Sequence, residues 1–323
     1  PGPLKAASGD GSSALARPVP CVPTCGSMDA ARQASGEGVL DAAAAAPAAA
    51  PAPAATGREP VEPGVVYLVG AGPGAVGLLT VRAVEVLCSC DVVLHDRLVP
   101  TELVRLARPS AEVRYVGKDA GVPSEKMKGH QDDISGQLVA LARKGLSVCR
   151  LKGGDPLIYG RAGEEMEELV AAGVAYEIVP GITAVLAAGA DARVPLTFRN
   201  VATSLRVHTM NSTTTREEGF DWAQFASPSA TYALYMGVGA LAEVSRSMMA
   251  AGVPGETPMA VVDRASQPSA QVVSGTLASL PAAVQGRADL KGPALVLLGA
   301  AVALRERLLG PAPPPPEPDA RLA

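Results

Sequence analysis

A glycine-rich loop near residue 70 contains residue types suited to ligand binding. Gly72, Gly74 and Gly77 satisfy the pattern G-x-G-x-x-G, in which a loop and a helix N-terminus bind a dinucleotide pyrophosphate. Asp96 follows at nearly the spacing of the residue that binds the ribose in NAD proteins, although it is equally a candidate base or a solvated strand-end carboxylate. Pro73 has no N–H group to donate, which weakens the NAD interpretation without excluding it. The loop therefore belongs either to an NAD-type oxidoreductase or to a protein with a different ligand.

Three glycine-bearing loops follow runs of apolar residues, at Gly70–Gly74, Lys152–Asp155 and Pro180–Thr183. In open parallel sheets ligands bind beyond the carboxyl ends of the strands, so we expect the three loops to converge on one ligand. The alternative is that the glycines only form tight turns, because glycine adopts positive φ without strain. S-adenosylmethionine is a second candidate ligand. It carries no phosphate, and it needs a carboxylate partner for its ammonium group, backbone groups for its amino acid and adenine, and close approach around its sulfonium.

The elements that position these loops alternate between strand and helix from residue 64 to residue 200. Helical spacing of apolar residues predicts helices over Leu78–Leu87, Asp132–Gly145 and Gly163–Gly173. Buried apolar runs predict strands between them, and this order indicates a parallel sheet flanked by helices. The five predicted strands are Val65–Gly70, Asp91–Asp96, Glu112–Gly117, Ser147–Gly154 and Ala175–Gly181.

A second block of strands follows Pro195 and contains one clear helix, Leu241–Gly252, which ends at a glycine. The last strands lie close together in the sequence, which favours a mixed sheet. We therefore expect an α/β protein with two α/β domains, a parallel-sheet domain over residues 64–198 and a mixed-sheet domain over residues 199–309. The predicted strands of the second domain lie in "TSLRVHTM", "ATYALYMG", "TPMAVVDRA", "AQVVSGT" and "PALVLLG".

Both ends of the 323-residue chain have compositions that do not form a core. Residues 1–63 are rich in Ala, Pro, Ser and Gly, and residues 310–323 are rich in proline, so we expect both segments to be disordered. The N-terminal extension is a candidate transit peptide, which suggests a plastid, with the cytoplasm as the alternative. Its acidic residues weaken this interpretation, because transit peptides are typically poor in them.

Charge and composition argue against several classes of protein. A net charge of −4 without a basic run argues against a nucleic-acid-binding protein. The uncharged run Pro63–Val81 is broken by glycines and Pro73, so we expect strand, loop and helix start rather than a membrane span. The five cysteines and three histidines lack metal-ligand spacing, so we expect no metal site and no disulfide scaffold.

Several motifs occur in the order found in the uroporphyrinogen-III C-methyltransferases of the tetrapyrrole methylase superfamily, and the chain resembles that family from about Val65 to Leu308. The resemblance implies a two-domain α/β fold, a homodimer, and S-adenosylmethionine in a cleft between the domains. It also implies transfer of two methyl groups to carbons 2 and 7 of uroporphyrinogen III, giving precorrin-2 for sirohaem and, in some organisms, cobalamin. The motifs are "VYLVGAGPGAVGLLTVRA", "VVLHDRLV", "VGK", "LKGGDPLIYGRAGEE", "EIVPGITA", "VPLTFR", "YMGVG" and "PALVLLGAAVALRERL".

The resemblance assigns roles residue by residue. Asp96 matches the proton acceptor and Lys118 the proton donor, although a role for Lys118 as an anion anchor is equally open. Arg161, Glu164 and Arg199 match substrate-binding positions, and arginine suits bidentate recognition of the substrate's carboxylates. The positions matching cofactor-binding residues are Pro73, Gly153, Gly154, Asp155, Ile158, Thr183, Ala184, Met236 and Ala265.

The sequence departs from the family pattern at two of these places. Phe198 stands before Arg199 where the family usually has histidine, and Ala265 stands where glycine is usual, which adds a Cβ near the expected adenine site. Three alternatives remain beside the main hypothesis: a methyltransferase for a later precorrin, an NAD-dependent oxidoreductase, and a binding relative without turnover. The "GRAGEE" and "PLTFR" segments favour the early substrate, and the presence of both Asp96 and Lys118 argues against loss of activity.

Overall fold

The first strand, β1 (Val66–Gly70), consists of buried residues throughout. An unbroken apolar run of this kind is typical of a strand that is covered on both faces in a parallel sheet. The computed structural model describes residues 60–117, 125–210, 219–290 and 292–310, and for residues 125–132 it describes the backbone only. The predictions of disorder for the two ends of the chain therefore fall almost entirely outside the described residues.

The first sheet has five parallel strands in the order β3-β2-β4-β1-β5. In the register of the central pair, Val66 of β1 lies opposite Val148 of β4. Because the strands are parallel, their carboxyl ends meet at one edge, as the alternation of strands and helices predicted. The other four strands are β2 (Val92–His95), β3 (Glu112–Tyr115), β4 (Val148–Lys152) and β5 (Tyr176–Val179).

The helices of this half differ from the prediction mainly at their first residues. The predicted helix Leu78–Leu87 begins instead at Val81, because the Thr80 side chain accepts a hydrogen bond from Ala83 N at 3.1 Å and caps it. The predicted helix Asp132–Gly145 begins instead at Glu125. The prediction missed the first turns because their residues are mostly polar and show no apolar periodicity. The four helices are α1 (Val81–Ser89), α2 (Thr101–Val104), α3 (Glu125–Arg143) and α4 (Ala162–Ala171).

The second sheet also has five strands, in the order β6-β7-β10-β8-β9. β6 pairs with β7 in parallel, and the other three pairings are antiparallel, so the sheet is mixed as expected. The strands are β6 (Ser204–Thr209), β7 (Ala230–Tyr235), β8 (Pro258–Asp263), β9 (Gln271–Thr276) and β10 (Ala294–Leu298).

Helices cover both faces of the mixed sheet. On one face Val244 and Met248 of α6 join a cluster of buried side chains with Met259 and Val296. The other face packs against α5, an alanine-rich helix that the sequence analysis did not predict because its near-uniform apolar run shows no helical period. The helices are α5 (Ala184–Ala192), α6 (Leu241–Ala250), α7 (Leu280–Val284) and α8 (Leu304–Leu308).

The uncharged run Pro63–Val81 forms strand β1, a loop, a 3-10 turn over Val76–Leu78 and the start of α1, as predicted. None of the helices described in the structure is both long and apolar enough to cross a lipid bilayer.

Candidate active site

A cavity of about 580 Å³ lies between the carboxyl edge of the parallel sheet and the mixed sheet. Its wall on one side is formed by the loops that follow β1 to β5. The opposite wall comes from the end of β7 and from residues in and beside β8 and β10. The site is therefore located where ligands bind in open parallel sheets, beyond the carboxyl ends of the strands.

The three glycine loops meet directly at this cavity. A Cβ added to Gly181 would lie 2.3 Å from the oxygen of Gly154 and 2.7 Å from Cα of Gly70. A Cβ on Gly70 would in turn lie 2.5 Å from the nitrogen of Gly181. The convergence predicted from the sequence is thus a backbone-to-backbone contact, which leaves no room for a Cβ at Gly70 or Gly181, while Gly154 has a φ of 69° that favours glycine.

The geometry argues against a dinucleotide site in the first loop. The Gly72 amide donates to the Gly154 oxygen at 3.1 Å, and the Gly154 amide donates to the Gly72 oxygen at 2.7 Å. These amides are already paired, and Pro73 has none to offer a pyrophosphate. The third glycine, Gly77, has no described atom within 4 Å of its Cβ position, so it does not serve close helix–strand packing as in the dinucleotide motif.

All nine residues predicted to bind a cofactor line this cavity. They come from three loops of the first half and two of the second, so the fold brings residues that are far apart in the chain to one cavity. The nine are Pro73, Gly153, Gly154, Asp155, Ile158, Thr183, Ala184, Met236 and Ala265.

Asp155 connects two of the loops. Its Oδ1 accepts from Leu157 N at 2.9 Å, and its Oδ2 accepts from Gly181 N at 3.0 Å. Each carboxylate oxygen has a second lone pair, so these bonds leave Asp155 able to accept from a ligand as well. The carboxylate therefore fixes the loop geometry and presents negative charge to the cavity.

Tyr235 is a cavity residue that the sequence analysis missed. Its hydroxyl shares a 2.7 Å hydrogen bond with Thr183 Oγ1 and accepts from Val185 N at 3.0 Å. Burial raises the pKa of the phenol, so the hydroxyl stays protonated at neutral pH. The ring lies 5.1 Å from that of Tyr159, whose hydroxyl donates to the Val207 oxygen at 3.1 Å. The two tyrosines join loops of the first sheet to strands of the second.

Asp96, the predicted proton acceptor, also lines the cavity. Its Oδ1 accepts from Leu98 N at 3.0 Å, and its Oδ2 lies 3.7 Å from a terminal guanidinium nitrogen of Arg150. Gly117 lines the same cavity, but the next residue, Lys118, lies outside the described part of the chain. The role predicted for Lys118 therefore stays a prediction.

A buried group of charged side chains lies behind Asp96, and the sequence analysis did not identify it. Lys152 Nζ lies 2.8 Å from both carboxylate oxygens of Glu165, and Arg150 Nε donates to Glu165 Oε1 at 3.1 Å. Burial, together with the neighbouring Arg150 charge, lowers the pKa of Lys152. The available signal was two cations at alternate positions of an otherwise apolar strand, which places both side chains on the same face.

Of the three predicted substrate-binding residues, Arg161 and Glu164 form a pair, but only Arg161 is among the described residues that line the cavity. Arg161 lines the cavity, and its Nε donates to Glu164 Oε1 at 2.8 Å. Glu164 and Arg199 are exposed and are not among the described residues that line the cavity. Three further cationic residues line the cavity: Arg97, Arg150 and Lys152.

Left-handed backbone conformations are concentrated at the cavity. Among the residues that line it, Tyr159, Arg161 and Met236 have φ of 55°, 56° and 56°, although none is glycine. Such conformations cost roughly 1–2 kcal/mol each for a residue with a Cβ. Strain of this kind persists where the surrounding structure holds it, often at binding sites.

Comparison with known proteins identifies the family. A model described as "Tetrapyrrole (Corrin/Porphyrin) Methylases" matches residues 65–281, which is most of the chain. Siroheme synthase from Methylobacillus flagellatus is 42% identical over 260 residues, covering 80% of this chain and 54% of that protein. The chain thus spans about half the length of the curated relatives it matches.

Two solved structures extend the similarity to the fold. The cobalamin biosynthetic enzyme cobalt precorrin-4 methyltransferase superposes with a TM-score of 0.64 at 32% identity, covering 74% of this chain and 96% of that one. Uroporphyrin-III C-methyl transferase from Thermus thermophilus, complexed with S-adenyl homocysteine, superposes with a TM-score of 0.61 at 37% identity. This similarity covers 74% of this chain and 99% of that one. The match of the family model runs from β1 to β9 and includes every glycine loop of the cavity, so the chain belongs to the tetrapyrrole (corrin/porphyrin) methylases.

Proposed function

We propose that the chain is an S-adenosylmethionine-dependent uroporphyrinogen-III C-methyltransferase that forms precorrin-2. The observation that carries the proposal is the cavity, which has Asp96 and all nine predicted cofactor residues in its lining. The similarity to the Thermus thermophilus enzyme, at 37% identity over nearly its whole length, supports the same substrate. Precorrin-2 formed in this way would supply sirohaem synthesis, in keeping with the siroheme synthase relatives.

The residues of the cavity fit S-adenosylmethionine in charge and size. A volume of about 580 Å³ is within the range of small-molecule sites. Asp155 offers the carboxylate that a cationic amino-acid group needs, and Ile158, Met236 and Ala265 offer apolar contacts for an adenine. When bound, S-adenosylmethionine supplies an activated methyl group on its sulfonium. The chain's own contribution is to hold the acceptor in line with that methyl.

The charges on the wall suit a polyanionic acceptor. Uroporphyrinogen III carries eight carboxylates, and a protein of net charge −4 must concentrate cations locally to bind it. Arg97 and Arg161 line the cavity, and Arg161 is already oriented by Glu164. We propose that Arg161 and Arg199 bind substrate carboxylates, while Glu164 accepts from a pyrrole N–H.

Proton transfer accompanies methylation, because adding a methyl group to a pyrrole carbon disturbs the protonation of the macrocycle. We propose Asp96 as the proton acceptor, since its carboxylate lines the cavity and is only partly exposed. Lys118 is proposed as the donor from its motif. Positioned groups of this kind typically contribute about 10²–10⁴-fold to a rate.

Incubation with uroporphyrinogen III and methyl-labelled S-adenosylmethionine tests the proposal. We expect two labelled methyl groups in the product and a loss of activity in Asp96→Asn. Asp133→Asn is the matched control, because Asp133 is exposed on α3 and contacts Gln137 rather than the cavity. A folded protein that binds S-adenosylhomocysteine but transfers no methyl to uroporphyrinogen III would refute the proposed substrate.

A methyltransferase for a later precorrin is the alternative, and the similarity to cobalt precorrin-4 methyltransferase favours it. Supplying a methylated precorrin in place of uroporphyrinogen III in the same assay separates the two. An NAD-dependent oxidoreductase is a weaker alternative, because the Gly72 and Gly154 amides each donate to the carbonyl oxygen of the other residue and are not free for a pyrophosphate. Calorimetric binding of NAD but not S-adenosylhomocysteine would favour it.

The assembly, the domain limits and the location are further parts of the proposal. A homodimer follows from the resemblance and is tested by sedimentation of the purified chain. Domains over 64–198 and 199–309 are supported by the two sheets, and limited proteolysis tests the boundary. A plastid location rests on the Ala- and Pro-rich composition of residues 1–63, and imaging those residues fused to a fluorescent protein tests it.

A further inference from the structure

Strand β4 presents two cations to one buried carboxylate. The Arg150 and Lys152 side chains are 5% and 3% exposed, and Glu165 of α4 is fully buried between them. Charges withdrawn from water in this way are tolerated when they are paired and hydrogen-bonded. Among the described residues, two cations face one carboxylate in this group, and the next carboxylate along it is Asp96.

Arg150 connects the two carboxylates. Its Nε donates to Glu165 Oε1 at 3.1 Å, while a terminal nitrogen lies 3.7 Å from Asp96 Oδ2. A guanidinium can face two partners at once because its N–H groups point in fixed, different directions, whereas a lysine ammonium is a single point charge. The other Asp96 oxygen accepts from Leu98 N, so each oxygen of this carboxylate faces one group of the protein.

We propose that Arg150 is a positioning residue, anchored by the Glu165–Lys152 pair, that holds the Asp96 carboxylate in the orientation needed for proton transfer. The inference rests on the proposed function, because it gives Asp96 the role of proton acceptor. Arg150 affects the reaction by orienting Asp96, and its hydrogen bond to Glu165 holds Arg150 itself in place. Lys152 neutralises Glu165 so that the guanidinium remains available to both carboxylates.

The chain contains a matched arginine–aspartate pair away from the cavity. Asp91 immediately precedes β2, as Asp96 immediately follows it, and Arg108 forms an ion pair with Asp91. Neither Arg108 nor Asp91 lines the cavity among the described residues. Replacing each arginine by lysine therefore compares the same chemical change at the two ends of one strand.

The test measures methyl transfer to uroporphyrinogen III, affinity for S-adenosylhomocysteine, and thermal unfolding in Arg150→Lys and Arg108→Lys. We expect Arg150→Lys to lower kcat by about 10–100-fold, the size typical of losing a partner that orients a functional group, with KM and ligand affinity nearly unchanged. Arg108→Lys should keep the wild-type kcat even where it lowers the melting temperature. Arg150→Gln replaces Arg150→Lys if the lysine variant does not fold.

A double-variant cycle separates positioning from a general structural effect. If Arg150 acts through Asp96, adding Arg150→Lys to Asp96→Asn should cause little further loss of kcat. Full additivity of the two losses, or a wild-type kcat in Arg150→Lys, would overturn the inference while leaving the proposed function intact. Absence of methyl transfer by the wild type would instead overturn the proposed function, and this inference with it.

Discussion

The contact between the glycine loops gives a sharp prediction for Gly181→Ala. The new Cβ would lie 2.3 Å from the oxygen of Gly154, and real Cβ contacts essentially never fall below 3.0 Å. Because backbone atoms of Gly154 and Gly70 surround the position, no flexible side chain can move aside. The loop after β5 must therefore shift by about 0.7 Å, the difference between 2.3 and 3.0 Å, away from the loops after β1 and β4.

The size of the effect follows from the cost of overpacking. Extra atoms in a well-packed interior cost about 1–3 kcal/mol, and rigid backbone on both sides indicates the upper end of that range. For a domain of this size about 3 kcal/mol lowers the melting temperature by roughly 6–12 °C. Since the displaced loops form the cavity wall, affinity for S-adenosylhomocysteine should fall together with stability.

Calorimetric unfolding and ligand titration measure both effects, with Gly136→Ala as the matched control. Gly136 is exposed in α3 and has no described atom within 4 Å of its Cβ position. Gly136→Ala should therefore raise the free energy of unfolding of the protein by about 0.5–1 kcal/mol. If Gly181→Ala unfolds at the wild-type temperature and binds S-adenosylhomocysteine normally, the close loop contact described above is wrong.

Three further predictions concern one buried and two partly buried polar groups. Glu165→Gln should lower the free energy of unfolding by about 3–5 kcal/mol in a denaturant titration, because it leaves buried cations unpaired; an unchanged midpoint would contradict this. Tyr235→Phe should cost about 0.5–1.5 kcal/mol through its lost hydroxyl hydrogen bond and should weaken S-adenosylhomocysteine binding measured by calorimetry; unaltered affinity would argue against a role at the cavity. Burial raises the pKa of Asp91, but hydrogen bonds from Ser147 and Arg108 outweigh it and lower the pKa overall. A carboxylate with a lowered pKa stabilises the fold at pH values above its pKa in the unfolded chain, and this stabilisation is lost as the pH falls through its lower pKa in the folded protein. Asp91→Asn should therefore be less stable than the wild type at neutral pH, and the difference should disappear as the pH falls below about 4. Unfolding measured at several pH values tests this.

The strands were predictable because their residues determine them locally. The run at Val65–Gly70 is apolar, the run at Ser147–Gly154 is largely apolar apart from Arg150 and Lys152, and both end in glycine. The structure confirms strands within both ranges. Parallel pairing then followed from the intervening helices. The nine residues predicted to bind a cofactor line one cavity, and the seven of them in the first half do so because loops at one edge of a parallel sheet must meet.

Other features depended on contacts between distant parts of the chain. Helix α5 is stabilised by packing on the mixed sheet rather than by an amphipathic pattern, so its sequence showed no period. Among the adjacent glutamates of α4, Glu165 rather than Glu164 is buried, and the choice depends on the two cations of β4. The hydrogen bond between the Gly72 and Gly154 loops likewise joins residues that no local pattern relates.

The left-handed backbone at the cavity has a consequence for engineering. At Met236 the side chain is exposed, so glycine there would relieve strain of roughly 1–2 kcal/mol with little lost packing, which exceeds the roughly 0.4–1 kcal/mol by which glycine stabilises the unfolded chain. Selection for heat resistance alone would therefore favour glycine at this position and remove a side chain from the cavity wall. Variants selected for thermal stability and variants selected for activity are thus expected to differ at the rim of the cavity.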